Sequence, residues 1–254
     1  MHFFTAYHWE KGTRTEKNQD SLAIGQMVVR RKRCLLVLVC DGIGSLAKSE
    51  EASGFVTEQM LGWFYRAGPR VFGGTASSRK ILCAGKRALH RVNRQLQEAC
   101  SSPVGCTCSM ILFVNRRFFV WNLGDSRIYQ GRHKHCRQLT RDDVREGRLT
   151  RCLGSFSWQG TSTCKGRVKQ KDCFLVCSDG FYGRLTKENL QELVGLQKNA
   201  SERQLYRLLG EASARCLRRG ETDDRTAVLV QAGGRNHPVF YGKRVTNREE
   251  WRNV

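Results

Sequence analysis

Apolar residues along the chain fall into blocks whose period changes, and the blocks predict the elements. Ser21 to Val29 and Cys34 to Cys40 are strand-like runs on either side of Arg30-Arg31-Lys32-Arg33, which predicts a hairpin with a solvated tip. From about Leu46 to Arg66 the positions Ala52, Phe55, Val56, Met60, Trp63 and Phe64 recur at helical spacing, and Gly68-Pro69 ends the pattern. A second helix is predicted over Ser78 to Ala99, with Ile81, Leu82, Ala88, Leu89, Val92, Leu96 and Ala99 on one face. The period then returns to that of strands over Thr107 to Val114, Arg117 to Leu123 and Ser126 to Gln130, with turns at Asn115-Arg116 and Gly124-Asp125, which reads as a meander. Cys173 to Cys177 is a further buried strand, and Thr186 opens a short helix. Ser201 with Gln204 is a capping box before a helix closed by Gly220, and Thr226 to Ala232 is the last strand. This order contains few parallel β-α-β units, so it predicts an α+β fold with helices packed on stacked antiparallel sheets. Gly233 to Val254 is polar, basic and without period, so the chain divides into a domain over 1–232 and a basic C-terminal tail over 233–254.

Composition narrows the setting. A chain of 254 residues that is 40% hydrophobic can bury a full core as one domain. No apolar run approaches the ~20 residues of a membrane span, and the first residues lack a basic segment followed by an apolar stretch. A cytoplasmic protein without membrane contact is expected. The 12 cysteines lie largely inside apolar runs, which suits reduced, buried thiols better than a disulfide framework. A net charge of +21 argues for anionic partners or for solubility. Basic stretches with interleaved aromatics are absent, so nucleic acid ranks below phosphorylated substrates.

The chemistry rests on acids. Asp41 and Asp179 each follow an apolar run and precede glycine, Asp223 stands just before Ala227-Val228-Leu229-Val230, and Asp20 precedes the first of the hairpin strands. Asp-Gly after a strand is also a common turn. Jointly, however, these acids would meet at one rim beside the core, where unpaired carboxylates are costly and hard divalent cations are their natural partners.

Several motifs occur in order across the chain: Gly12-Thr-Arg14 with Asn18-Gln19-Asp20, then Asp41-Gly42-Ile-Gly44, Gly105-Cys-Thr107 and Asn122-Leu-Gly124-Asp125-Ser126-Arg127. Arg151-Cys-Leu153-Gly154, Ser178-Asp179-Gly180 and Asp223-Asp224-Arg-Thr226 complete the series. In these motifs, from about Gly12 to Gln231, the sequence resembles the metal-dependent protein serine/threonine phosphatases of type 2C in their single-domain bacterial form. The resemblance implies a four-layer α/β/β/α sandwich, two antiparallel sheets flanked by helix pairs. It further implies two Mn²⁺ or Mg²⁺ ions that share and activate a water for direct attack on phosphoserine or phosphothreonine. Carried over, Asp41 bridges both ions, the Gly42 carbonyl ligates one, Asp179 and Asp223 hold the first ion, and Asp20 acts through the waters of the second. Asp125 matches a position for a third, weaker ion, set against the reading of Gly-Asp-Ser-Arg as a tight turn.

Arg14 is the candidate phosphate clamp, because a guanidinium offers paired donors to phosphate oxygens. It precedes Asp20 by six positions where the family arginine usually stands five before, so either one residue bulges out or Lys17 contributes. Ser45, Ser49 and Asp143 also depart from the bacterial pattern, and Thr140 to Arg151 is short where many bacterial relatives carry a flap. The implied partners are phosphoproteins acted on by a cognate kinase, with the protein a monomer. No cysteine is followed after five residues by arginine, and neither a Gly-x-Ser-x-Gly elbow nor a phosphate-binding glycine loop is present. Two alternatives predict different things. An inactive phosphatase-like binding module would have lost metal carboxylates, and a nucleic-acid-binding protein on the same fold would show salt-sensitive binding without hydrolysis.

Overall fold

The computed structural model describes residues 1–46, 48–100, 102–133, 135–155, 157–196, 200–233 and 243–246. The chain begins with β1 (Phe3–Glu10), β2 (Ser21–Val29) and β3 (Lys32–Cys40), followed by α1 (Ser49–Gly73) and α2 (Ser78–Ala99). Then come β4 (Cys108–Val114), β5 (Arg117–Leu123), β6 (Arg127–Arg132), β7 (His135–Gln138) and the short pair β8 (Val144–Arg145) and β9 (Arg148–Leu149). β10 (Ser162–Arg167), β11 (Cys173–Cys177), α3 (Asp179–Tyr182), α4 (Lys187–Val194), α5 (Glu202–Arg218), β12 (Arg225–Ala232) and β13 (Lys243–Val245) complete it.

Two antiparallel sheets stack face to face, ordered β1-β12-β11-β6-β7 and β10-β5-β4-β3-β2-β13. Alternation along each strand sends one set of side chains between the sheets and the other toward helices. Leu35, Val37 and Val39 of β3 meet Phe174, Val176 and Val228 in the layer between the sheets. Leu36 and Leu38 face Val56, Met60 and Leu89 of α1 and α2. On the outer side of the other sheet, Leu175 and Leu229 pack against Leu193, Leu205 and Leu209 of α4 and α5. The result is the α/β/β/α sandwich that the motifs implied. Among the described residues no helix is long and apolar enough to cross a membrane, and the cysteines form no disulfide there.

Four local expectations are corrected. Gly68-Pro69 does not end α1, which continues to Gly73. Phe72 is buried in the helix-side core, Lys32 Nζ donates to the Phe72 and Gly73 carbonyls (3.3 and 3.4 Å), and Gly68 packs under Met27. These contacts and the basic cap at the helix end outweigh the loss of one backbone bond at Pro69. The expected meander is divided instead: β4 and β5 pair in one sheet, whereas β6 pairs with β11 and β7 in the other. The chain changes sheet at Gly124, whose φ of 95° only glycine adopts readily. β1 had no predicted counterpart, because it is covered on both faces and lacks polar alternation. Finally, 233–254 is not wholly an unpatterned tail: Lys243–Val245 adds an edge strand to β2, and Ser21 Oγ donates to Thr246 Oγ1 at 3.1 Å. Three residues are too few to show a strand period, and the rest of the segment beyond Gly233 lies outside the described residues.

Candidate metal centre

The acids gather where the strands of both sheets end. Asp41 follows β3 and is locked to the start of β4: its N–H donates to Thr107 Oγ1 at 3.0 Å, and its carbonyl accepts from Thr107 N at 2.8 Å. Gly42 bridges Cys106, and a Cβ there would lie 2.7 Å from Ser49 Cβ, so only glycine lets the backbone pass this close to α1. Asp179 is the first residue of α3, after β11. Asp223 is on the loop before β12, which approaches Asp179 closely because position 180 has no side chain. A Cβ on Gly180 would sit 2.2 Å from the Asp224 carbonyl oxygen.

Arg14, Asp41, Gly42, Asp125, Asp179 and Asp223 all line one cleft of about 430 Å³. Asp20 does not line it. It is buried beneath, where its carboxylate accepts from Ser178 Oγ at 2.9 Å. Ser178 is thus a support of the acid cluster. Arg14 faces the cleft and donates through Nη1 to Asp223 Oδ2 and through Nε to Thr222 Oγ1, the latter at 3.0 Å. Lys17 turns instead to Glu50, 3.7 Å away. Residues 13–17, which carry both candidates for the clamp, form a bend.

The electrostatics show what this arrangement lacks. Burial first, then the neighbouring Asp20 and Asp179, push the Asp41 carboxyl well above the usual carboxylate range. Burial, opposed by hydroxyl hydrogen bonds and reinforced by Asp224 and Asp179, does the same to Asp20. Asp125 is pushed up to about 6 by burial and by Asp179, and Asp223 is raised by burial and by Asp179, with Arg14 opposing. Of these acids, Asp223 alone has a cation in ion-pair contact among the described residues. A set of oxygen donors that raise one another's proton affinity is a set that lacks positive charge, and its all-oxygen chemistry fits a hard divalent ion. Among the described residues no three acidic, histidine or cysteine side chains close on one point. Ions of the Mg²⁺ type, which keep several waters, do not require such closure.

Sequence reasoning missed several supports. Asp224, 5% exposed, accepts from Gly12 N (2.7 Å) and Gln19 N (2.6 Å), and so ties the segment carrying Arg14 and Asp20 to the Asp223 loop. Arg127 is held by Asp142 at 2.6 Å and lies over the Tyr182 ring at 3.9 Å, while Tyr182 Oη donates to the Asp125 carbonyl at 3.0 Å. The departures from the bacterial pattern also find partners. Ser49 Oγ donates to the Ile43 and Leu46 carbonyls (3.0 and 2.9 Å), and Asp143 accepts from Gly124 N (3.1 Å) and from Arg151. The short flap region is the β8–β9 hairpin, whose Leu149 reaches the cleft.

The chain is similar to known proteins in sequence and in fold. The sequence model of protein phosphatase 2C matches residues 8–218. The serine/threonine protein phosphatase PstP of Mycobacterium tuberculosis is 26% identical over 92% of this chain and 46% of its own length, so the chain spans about half the length of that relative. A putative protein phosphatase of Mycoplasma genitalium is 24% identical over 90% of this chain and 95% of its own. Among solved structures, the serine/threonine phosphatase Stp1 of Staphylococcus aureus superposes with a TM-score of 0.76 at 19% identity, covering 92% of this chain and 96% of Stp1. The catalytic domain of PstP with two manganese ions gives 0.69 at 21% identity, covering 91% and 99%. With the family's sequence model matched over most of its length and the family's fold in place, the chain belongs to the protein phosphatase 2C family.

Proposed function

We propose that this protein hydrolyses phosphoserine and phosphothreonine in proteins, with two divalent cations, Mn²⁺ or Mg²⁺, held in the acidic cleft. The observation that carries this reading is one cleft combining half-buried, mutually repelling carboxylates with an arginine ion-paired to one of them. Asp41, Asp179, Asp223 and the Gly42 carbonyl would hold the ions, with Asp20 beneath them and Asp125 for a third, weaker one; that all but Asp20 line one cleft supports this. When bound, such ions supply Lewis acidity toward phosphoryl oxygens and lower the pKa of water. Arg14, 59% exposed at its side chain, can leave Asp223 once that carboxylate has another cation, and can then present two parallel N–H groups to a phosphate. Ser178 and Thr107 hold the acids in register from behind.

The partners proposed are phosphoproteins made by a cognate serine/threonine kinase, with the protein acting as a monomer in the cytoplasm. Its free, mostly buried cysteines suit a reducing compartment. The test is release of phosphate from phosphothreonine and phosphotyrosine peptides and from an aryl phosphate in Mn²⁺. Metal-dependent turnover that favours phosphothreonine over phosphotyrosine is expected, and metal-independent or absent turnover would overturn the assignment.

A further inference from the structure

The positive charge of this chain is not evenly spread. On α2 the exposed positions Arg79, Lys80, Lys86, Arg87, Arg91 and Arg94 recur at helical spacing and form one stripe. Its acidic member, Glu98, is already taken by Arg94 at 3.4 Å, and none of the other five cations has an ion-pair partner among the described residues. The opposite helix layer differs in degree: on α5, Arg207 pairs with Glu211 (3.7 Å) and Arg215 with Glu192 (2.5 Å), and only Arg203 and Arg218 are left without an ion pair among the described residues. Edge strand β10 extends the α2 surface. Cys164 packs between the sheets, so Lys165 and Arg167 project to the helix side, where Arg167 stands opposite Arg117 and Arg117 reaches Ser78 Oγ at 3.5 Å.

The C-terminal half of α2 is tied to the cleft. Asn93 Oδ1 accepts from Gly154 N at 2.8 Å, and Asn93 and Gln97 donate to the Ser155 carbonyl (3.1 and 2.5 Å). Leu153 in turn bridges Cys106, which bridges Gly42 at the cleft rim. We infer that the α2 stripe is a docking surface for an acidic segment of the phosphoprotein substrate, which it holds while the phosphorylated residue enters the cleft. This rests on the phosphatase reading given above.

From Arg79 to Arg94 the stripe runs about 22 Å at 1.5 Å per residue, the length of roughly seven residues of extended peptide. Charge complementarity selects Asp, Glu or further phosphorylated residues in that run. A lipid surface is disfavoured, since among the described residues the exposed large apolar side chains are Val28, Val144, Tyr206 and Leu217, none on α2 or β10, so neither element offers one to insert. Single-stranded nucleic acid is disfavoured because neither α2 nor β10 carries a Phe, Tyr or Trp on which bases could stack, and duplex binding is an outcome of the test.

The test compares the native protein with a variant carrying Lys86→Glu, Arg87→Glu, Arg91→Glu and Arg94→Glu, and with the same four positions changed to Gln, each first matched for thermal stability. Three substrates are used with Mn²⁺: a phosphothreonine peptide with an acidic run, the same peptide with that run replaced by Gly and Ser, and an aryl phosphate. For the native protein the acidic peptide should show a KM lower by about tenfold or more at low salt, with the gap closing as salt rises. Both variants should lose the gap while keeping kcat and aryl phosphate turnover. A gap that persists in the variants, or no gap in the native protein, overturns the proposal. So does a native protein that binds a short duplex DNA through these positions but shows no preference for the acidic peptide. If the native protein turns over no substrate, the phosphatase reading has failed. Anisotropy of an unphosphorylated, labelled acidic peptide then still decides the surface: binding lost in the Glu variant supports it, and absent or unchanged binding refutes it.

Discussion

Asp224 offers a sharp test of how the site is held together. Its buried carboxylate is the acceptor for two backbone N–H groups, Gly12 at 2.7 Å and Gln19 at 2.6 Å, on a segment more than 200 residues away in sequence. Asp224→Ala leaves both donors facing a small void, since a Gly12 Cβ would already be 2.3 Å from the Thr222 carbonyl oxygen and the chains are in contact there. An unsatisfied buried donor costs about 1–3 kcal/mol. Two together, with some relief from water near Gln19, give a loss of about 3 kcal/mol. For a chain of this size about 2–4 °C of Tm is lost per kcal/mol, so Tm should fall by about 6–12 °C. Asp224→Asn keeps one acceptor oxygen and should lose about half as much. Thermal unfolding is measured in chelator, so that cation binding does not enter the difference. As a control, Glu98→Ala removes an exposed pair, 66% accessible on the acid side, and should shift Tm by no more than about 2 °C. A Tm for Asp224→Ala within about 2 °C of the native value would refute the reasoning.

Arg14→Ala should raise KM for a phosphopeptide about 10- to 100-fold, the value of one charge-assisted contact, while Mn²⁺ affinity by calorimetry is unchanged or tighter because Asp223 loses a competitor. Arg14→Lys should recover little of this, because an ammonium cannot make the paired contact. Mn²⁺ at about 100 times its Kd should stabilise the chelated protein by about 2.7 kcal/mol, seen as a rise of roughly 5–10 °C in Tm. Asp41→Asn should abolish that rise, and without metal it should unfold at or above the native temperature because a repelled, half-buried charge is gone. Gly180→Ala should weaken Mn²⁺ binding more than it lowers Tm, since the added Cβ meets the Asp224 carbonyl and separates Asp179 from Asp223.

The elements legible in the sequence were those with an unambiguous period. α2 runs from Ser78 to Ala99 as its apolar face predicts, the capping box at Ser201 forms, and Thr186 opens α4 as expected, with a capping box of its own that the sequence reading did not include. α1 was read short because Gly68-Pro69 is a strong local stop, and what carries the helix past it, Lys32 and Met27, comes from the preceding hairpin. The hairpin tip is shorter than the Arg30 to Arg33 segment that the sequence marked: Arg30 and Arg31 alone make the turn, at φ of 46° and 63°, a turn normally marked by Asn-Gly, while Lys32 and Arg33 belong to β3. At the site, Asp41 and Asp179 stood out because each ends a buried strand. Asp224 did not, because beside Asp223 it looks like half of a charged doublet and its partners are backbone groups from the other end of the chain. The spacing of Arg14 left Lys17 open as a clamp, and only the fold separates them, turning Lys17 to Glu50 and Arg14 to the cleft.

The proposal is that the clustered acids bind the cations on which phosphate release depends. It is tested most directly by titrating Mn²⁺ into chelator-stripped native protein, Asp41→Asn and Asp179→Asn while following phosphate release from a phosphothreonine peptide. The account predicts no release before metal, saturable release in the native protein, and rates at least about 100-fold lower in both variants at every Mn²⁺ concentration. Equal rates in all three proteins, or release by the stripped protein before any metal is added, would contradict it.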